Sequence, residues 1–106
     1  MEAIFHAINL IRELDPDTPG QVVVAFLYVA SHNRCHKQAL EEELNLSTAT
    51  ASRTCDYLSK QHRLGKPGLD LVRKVPDPSN RRRLELHLTH KGELLAQQLQ
   101  EIIYDS

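Results

Sequence analysis

A chain of 106 residues, 41% hydrophobic and 25% charged, has the size and composition of one soluble globular domain with a single core. No apolar run approaches the ~20 residues that cross a bilayer. The opening MEAIFHAINLIREL lacks a basic region followed by an apolar one, so neither a membrane span nor a signal peptide is expected and the predicted location is cytoplasmic.

The formal net charge of −1 hides a polarised chain. Residues 1–46 carry three Lys/Arg against seven Asp/Glu, residues 47–91 carry ten against four, and residues 92–106 carry three acids and no base. A basic segment set between acidic ones is the electrostatic footprint expected of phosphate binding. A charged loop alone would produce the same count, but this segment also contains the most distinctive helix of the chain.

Residues 2–14 read as a helix, with Ile4, Ala7, Ile8, Ile11 and Leu14 recurring at three- and four-residue steps. Phe5 and Leu10 lie off that stripe, so part of its apolar girth is expected to meet a partner. Asp15-Pro16-Asp17 ends it, because the residue before proline is pushed out of the α region. A second helix is predicted from Thr18 as N-cap and Pro19 as first helical residue, running through QVVVAFLYVASHN. Its β-branched run also suits a strand. The proline start, the length and two alanines favour a helix, the central one of the core.

Arg34-Cys35-His36 is expected to form a short extended bridge. Lys37–Leu44 reads as a short helix with Ala39, Leu40 and Leu44 inward and Glu41, Glu42 and Glu43 largely solvated. Asn45 suits a left-handed turn, and Ser47 is the N-cap of a helix predicted to reach about His62. Ala51, Cys55 and Leu58 make a narrow buried stripe on it. Its other surface presents Thr48, Thr50, Ser52, Arg53 and Tyr57. A helix with a thin apolar stripe and a hydroxyl-plus-arginine face fits a DNA major groove; an ordinary solvated helix is the plainer reading of those residues taken alone.

Residues 61–70 read as a loop. Leu71–Val75 is a strand candidate, Val75–Asn80 a turn of strong breakers, and Arg83–Leu88 a second strand with Leu84, Leu86 and Leu88 on one face. The hairpin carries Arg73 and Lys74 on one arm and Arg81, Arg82 and Arg83 at the start of the other. Guanidinium groups suit the narrow, strongly negative minor groove. Thr89 caps a last helix, predicted over 89–104. Its stripe of Leu94, Leu95, Leu99, Ile102 and Ile103 outlasts what a small core can cover. With residues 2–14 it forms the candidate dimer surface. The expected fold is mainly α with a small β-hairpin: a winged helix-turn-helix of about five helices and a two-stranded wing over 71–88, forming one domain over residues 1–106.

Four stretches in this order resemble the MarR-type winged helix-turn-helix transcription regulators. They are Thr18-Pro19-Gly20-Gln21; Leu40 to Arg53, with its small hydroxyls before the arginine; Pro76-Asp77-Pro78-Ser79-Asn80-Arg81-Arg82; and Leu88-Thr89-x-Lys91-Gly92. Together they cover most of residues 18–96. The resemblance implies a cytoplasmic homodimeric repressor that binds double-stranded DNA. It implies that Ser47, Thr48, Thr50, Ser52, Arg53 and Tyr57 face the major groove, with Arg82 in the minor groove and Arg81 and Arg83 on phosphates. Lys60, Arg73 and Lys74 complete the basic set. Asn80 stands where the family has an acid that braces the wing arginine. Glu41 stands where a small residue lets two helices approach. About eight extra residues fall near Gln61–Gly68. The chain reaches Ser106 one helix short of the family pattern, which argues against a small-molecule effector site.

Other chemistry has little support. His32, Cys35 and His36 are close, but no second cluster lies at structural-zinc spacing, so no metal or cofactor is expected. No phosphate loop, nucleophile elbow or catalytic acid pair is visible, so no enzyme is expected. Cys35 and Cys55 read as free thiols of a reducing compartment. The alternative to a DNA-binding regulator is a winged-helix module that modulates another protein through the same surfaces.

Overall fold

The computed structural model describes residues 1–32, 34–60, 65 and 67–104. Five helices and three strands follow in the order α1 (Glu2–Arg12), α2 (Gly20–Ser31), β1 (Cys35–His36), α3 (Lys37–Leu44), α4 (Thr48–Leu58), β2 (Val72–Asp77), β3 (Asn80–Leu88) and α5 (His90–Tyr104). The strands form one antiparallel sheet in the order β1-β3-β2. The hairpin expected from the sequence therefore carries a third strand, because Cys35 and His36 pair with Leu86 and Glu85.

The core lies where α2 crosses the other elements. Ala25, Phe26 and Val29 of α2 are buried with Leu40 of α3, Ala51, Cys55 and Leu58 of α4, and Leu71, Val72 and Leu86 of the sheet region. At roughly 1.5–3 kcal/mol for each large apolar side chain fully withdrawn from water, this cluster is the main favourable term of the fold. The predicted stripe on α4 is buried as expected. The ends of the chain behave differently. On α1 only Ala7 and Ile11 are buried, while Ile4, Phe5 and Ile8 stay exposed; on α5 Leu95 and Leu99 are buried, while Leu94 and Ile103 are exposed.

Several boundaries differ from the sequence expectations, each for a local reason. Pro19, not Thr18, is the N-cap of α2. Thr18 turns both its N–H and its hydroxyl back to the Asp15 carbonyl, which closes the turn before α2, and no side chain caps the helix. Helix α1 stops at Arg12 rather than residue 14; the amides of Glu13 and Leu14 close the last turn on Asn9 and Ile11. Helix α4 ends at Leu58 rather than near His62. Ser59 is extended, and the returning chain takes up the helix-end carbonyls: Leu69 N–H bonds Tyr57 and Leu71 N–H bonds Leu58. The backbone of Gly68 runs so close to Ser59 that a Cβ would sit 1.9 Å from its carbonyl oxygen. Residues 61–64 and 66, in the insertion expected near Gln61–Gly68, lie outside the described residues.

The wing is longer and its turn tighter than expected. Val75, Pro76 and Asp77 belong to β2, and β3 begins at Asn80, leaving Pro78-Ser79 as the turn. The register shifts between Pro76 and Asp77. A proline inside a strand is tolerated at such an irregularity, where no ladder hydrogen bond is required of it. Asn45 is left-handed, at φ 54°, as expected for the turn between α3 and α4.

Candidate nucleic-acid interface

The amino end of α4 is set by two devices. Ser47 caps it, accepting from the Thr50 amide at 3.1 Å. Glu41 of α3 then ties it down, accepting from the Thr48 hydroxyl at 2.9 Å and from Lys37 Nζ at 3.0 Å. The ammonium of Lys37 first, and the Thr48 hydroxyl second, hold the Glu41 carboxyl below the usual range. Glu41 thus links the two helices of the helix-turn-helix through its carboxylate.

Two flanks of α4 open outward. Thr48 and Ser52 share a cleft of about 430 Å³ with Lys37 and Glu41 on one side and Arg82 and Arg83 of the wing on the other. On the opposite flank Thr50, Arg53 and Tyr57 line a hollow of about 300 Å³ against Pro19 and Gln21. Arg53 is exposed and rests one guanidinium nitrogen on the Thr50 hydroxyl at 3.2 Å. The guanidiniums of the three wing arginines, Arg81, Arg82 and Arg83, are exposed and make no hydrogen bond or ion pair among the described residues. The fold therefore brings Thr48 and Ser52 of α4 and Arg82 and Arg83 of the wing to one cleft.

Other predicted residues stand elsewhere or are already engaged. Lys74 reaches back to Asp56 of α4 at 2.5 Å and fixes the wing strand against that helix. Arg73 is exposed on β2 opposite His87, and Lys60 lies beyond the end of α4. Tyr57 donates its hydroxyl to Asp15, in the turn after α1. Burial first, and the Asp15 carboxylate second, push the Tyr57 phenol up; the same bond, with the Asp17 amide, holds Asp15 below the usual 3.8.

Asp15 has its pKa depressed, so its stabilising contribution is present above its ordinary value and lost as the pH falls below it. Tyr57→Phe should raise the Asp15 pKa toward 3.8. It should also lower stability at neutral pH and make the acid limb below about pH 4 shallower. Carboxylate titration by NMR checks the first expectation; an unmoved Asp15 would show that the hydroxyl does not hold it.

No protein-family model matches the chain, and no curated protein does. Solved structures do. PcaV of Streptomyces coelicolor, solved with its natural ligand, is 22% identical with a TM-score of 0.62 over 84% of this chain and 57% of its own. MepR of S. aureus, solved with DNA, is 16% identical with a TM-score of 0.73 over 96% and 77%. MarR is 22% identical with a TM-score of 0.66 over 94% and 63%. The fold is that of the MarR-type regulators. This chain spans 57% of the length of that PcaV chain and 63% of that of MarR.

Two departures from the MarR-type sequence pattern acquire physical roles. Among the described residues Asn80 braces no arginine side chain; its Oδ1 accepts the Arg82 amide at 3.1 Å and shapes the start of β3. Glu41 accepts the Thr48 hydroxyl and so ties α3 to α4. Other contributors were missed from sequence. Thr54 is buried, donates to the Thr50 carbonyl at 2.9 Å and accepts from Gln21 at 3.2 Å, which docks α2 on α4. The Lys37–Glu41 spacing of four could have revealed that ion pair; Gln21 and Thr54 are 33 residues apart and leave no local signal.

The thiols are poor nucleophiles. Cys55 is buried and pushed up to about 11, and burial also raises Cys35. Thiolate chemistry is accordingly suppressed at both.

Proposed function

We propose that this protein is a sequence-specific double-stranded DNA-binding transcriptional repressor, with α4 in the major groove and the β2–β3 wing in the minor groove. The observation that carries this reading is the shared face. Thr48 and Ser52 of α4 and Arg82 and Arg83 of the wing border one cleft, and the wing guanidiniums have no partner among the described residues. Unpaired arginines beside a hydroxyl-rich helix face are suited to phosphates and base edges together. MepR and AbfR, which share the fold, were solved bound to DNA.

In this reading Ser47, Thr48, Ser52 and Arg53 approach the major groove, with Thr50 orienting Arg53. Arg82 enters the minor groove, while Arg81, Arg83, Arg73 and Lys60 serve phosphates. Lys74 acts through its ion pair to Asp56, and Tyr57 through its bond to Asp15.

The active form is a homodimer. Ile4, Phe5 and Ile8 of α1 and Leu94, Ile103 and Tyr104 of α5 are exposed on two helices that pack against each other. An apolar surface of that extent on a small domain is expected to be covered by a partner. Light scattering should give twice the mass of one chain.

Selection of bound sites from random DNA tests the function. A palindrome with half-sites about one helical turn apart is expected, with affinity that falls steeply as salt rises. Failure to enrich any sequence, with a flat salt response, would instead favour a protein-interaction module.

A further inference from the structure

Beside the cleft of the wing arginines lies a cluster to which the DNA-binding reading gives no role. His36 of β1, Asp77 of β2 and Glu85 of β3 each bring one ligand-type atom to within 4.8 Å of the others. The sheet order explains the meeting: His36 pairs directly with Glu85, and the register shift at Pro76/Asp77 re-aims Asp77. His36 Nε2 lies 2.8 Å from Asp77 Oδ2.

The surroundings hold these groups in place. Asp77 is only 8% exposed, and its other oxygen, Oδ1, accepts the Ser79 amide at 2.9 Å and the Ser79 hydroxyl at 2.8 Å. Those two bonds, followed by the one to His36, keep the Asp77 carboxyl ionised down to about 2. Glu85 is flanked by His87, whose Nε2 lies 3.2 Å from Oε1. A carboxylate fixed through one oxygen and presenting the other is the arrangement that outer hydrogen bonds give to metal ligands.

We propose that His36, Asp77 and Glu85 form a binding site for a divalent cation of the zinc class at the base of the wing. One imidazole and two carboxylates suit a borderline ion, which takes nitrogen and oxygen together, better than magnesium, which prefers oxygen alone. Ligand atoms about 2.1 Å from a tetrahedral ion stand about 3.4 Å apart. The His36–Asp77 pair needs only to open slightly, and Glu85, half-buried at the sheet surface, to swing inward. The fourth ligand comes from solvent. The ion would pin all three strands together.

His36 is also the N-cap of α3 and borders the cleft shared by Ser52 and Arg82. The site therefore touches the surface assigned to DNA, and its regulatory meaning rests on that assignment. The site itself does not, because it can be measured without DNA.

The test is calorimetric titration of zinc alone into the full chain, stripped with a chelator, in the presence of millimolar magnesium. One ion per chain is expected, with affinity falling at least about tenfold in His36→Gln and in Glu85→Gln. Cys35→Ser and His32→Gln should bind as the parent does. Asp77→Asn retains an oxygen for Ser79, so it should stay folded by circular dichroism and still lose the ion. Absence of stoichiometric zinc binding would overturn the proposal. So would undiminished binding in the His36 and Glu85 variants, or loss of binding in Cys35→Ser.

Discussion

Arg53→Ala and Arg82→Ala are each expected to weaken operator binding by about 1–3 kcal/mol, or about 5- to 150-fold. Both guanidiniums are exposed. Arg53 gives up only a 3.2 Å hydrogen bond to the Thr50 hydroxyl when it turns to DNA, and Arg82 gives up no partner among the described residues. Neither substitution leaves a buried group unsatisfied, so neither should disturb the fold beyond a few tenths of a kcal/mol.

The two losses should carry different signatures. Arg53 projects from the helix assigned to the major groove, where a forked donor reads a guanine edge. Its removal should relax preference at one position of each half-site. Arg82 projects from the wing, where a guanidinium responds to groove width and phosphate charge. Its removal should weaken all sequences together and make the salt slope shallower by about one for each phosphate no longer neutralised. Affinity measured at fixed salt, on the selected operator and on a scrambled one, separates the cases. Unchanged affinity in both variants would remove the DNA-binding reading.

The sequence reached the fold because local signals agreed with one another. Ser47, Asn45 and the stripe of Ala51, Cys55 and Leu58 each pointed to the same turn and the same helix, and all took the expected positions. Errors fell at boundaries set by hydrogen bonds outside the helix pattern, some near in sequence and some distant. The end of α4 depends on Leu69 and Leu71 coming back to its carbonyls, and nothing in residues 47–62 announces that. At the start of α2 the Thr18 amide and hydroxyl both turn back to the Asp15 carbonyl, and Pro19 takes the cap position.

The candidate site was legible as a charge pattern more than as a geometry. The arginine triplet and the hydroxyl-rich helix were visible as residue types. Their division of labour was not. Tyr57, Lys74 and Glu41 all looked like surface groups, yet each is tied to another element: Tyr57 to Asp15, Lys74 to Asp56, Glu41 to Thr48. Those partners lie 42, 18 and 7 residues away and on other elements, so no periodicity within one helix or strand links them. The cluster of His36, Asp77 and Glu85 is hidden for the same reason, since only the sheet brings those residues together.

Gly92→Ala is expected to destabilise the protein markedly although it adds only one methyl group. In an ordinary exposed helix this change stabilises by about 1 kcal/mol. Here a Cβ would stand 2.0 Å from the Leu71 carbonyl oxygen and 3.0 Å from its carbon. Backbone atoms cannot rotate aside, so α5 would have to withdraw from Leu71 by more than an ångström. That withdrawal breaks a docking array. Thr89 N–H donates to the Leu71 carbonyl at 3.0 Å, Thr89 hydroxyl to Asp70 at 2.7 Å, and Lys91 Nζ to Leu69 at 2.9 Å. Three successive carbonyls are thus met by the residues just before Gly92, and the Thr-x-Lys-Gly pattern is a mould for this piece of chain. Leu71 also carries the bond that ends α4 at Leu58, so displacement there reaches the helix assigned to DNA. Overpacking of this kind costs about 1–3 kcal/mol or more, enough to outweigh the helix-propensity gain. A net loss of about 2 kcal/mol would lower the melting temperature by roughly 10 °C for a domain of this size. Urea and thermal denaturation, compared with Gly20→Ala, where a Cβ meets nothing within 4 Å, provide the measurement. A Gly92→Ala protein as stable as its parent would mean that α5 does not rest on Leu71 as closely as this geometry requires.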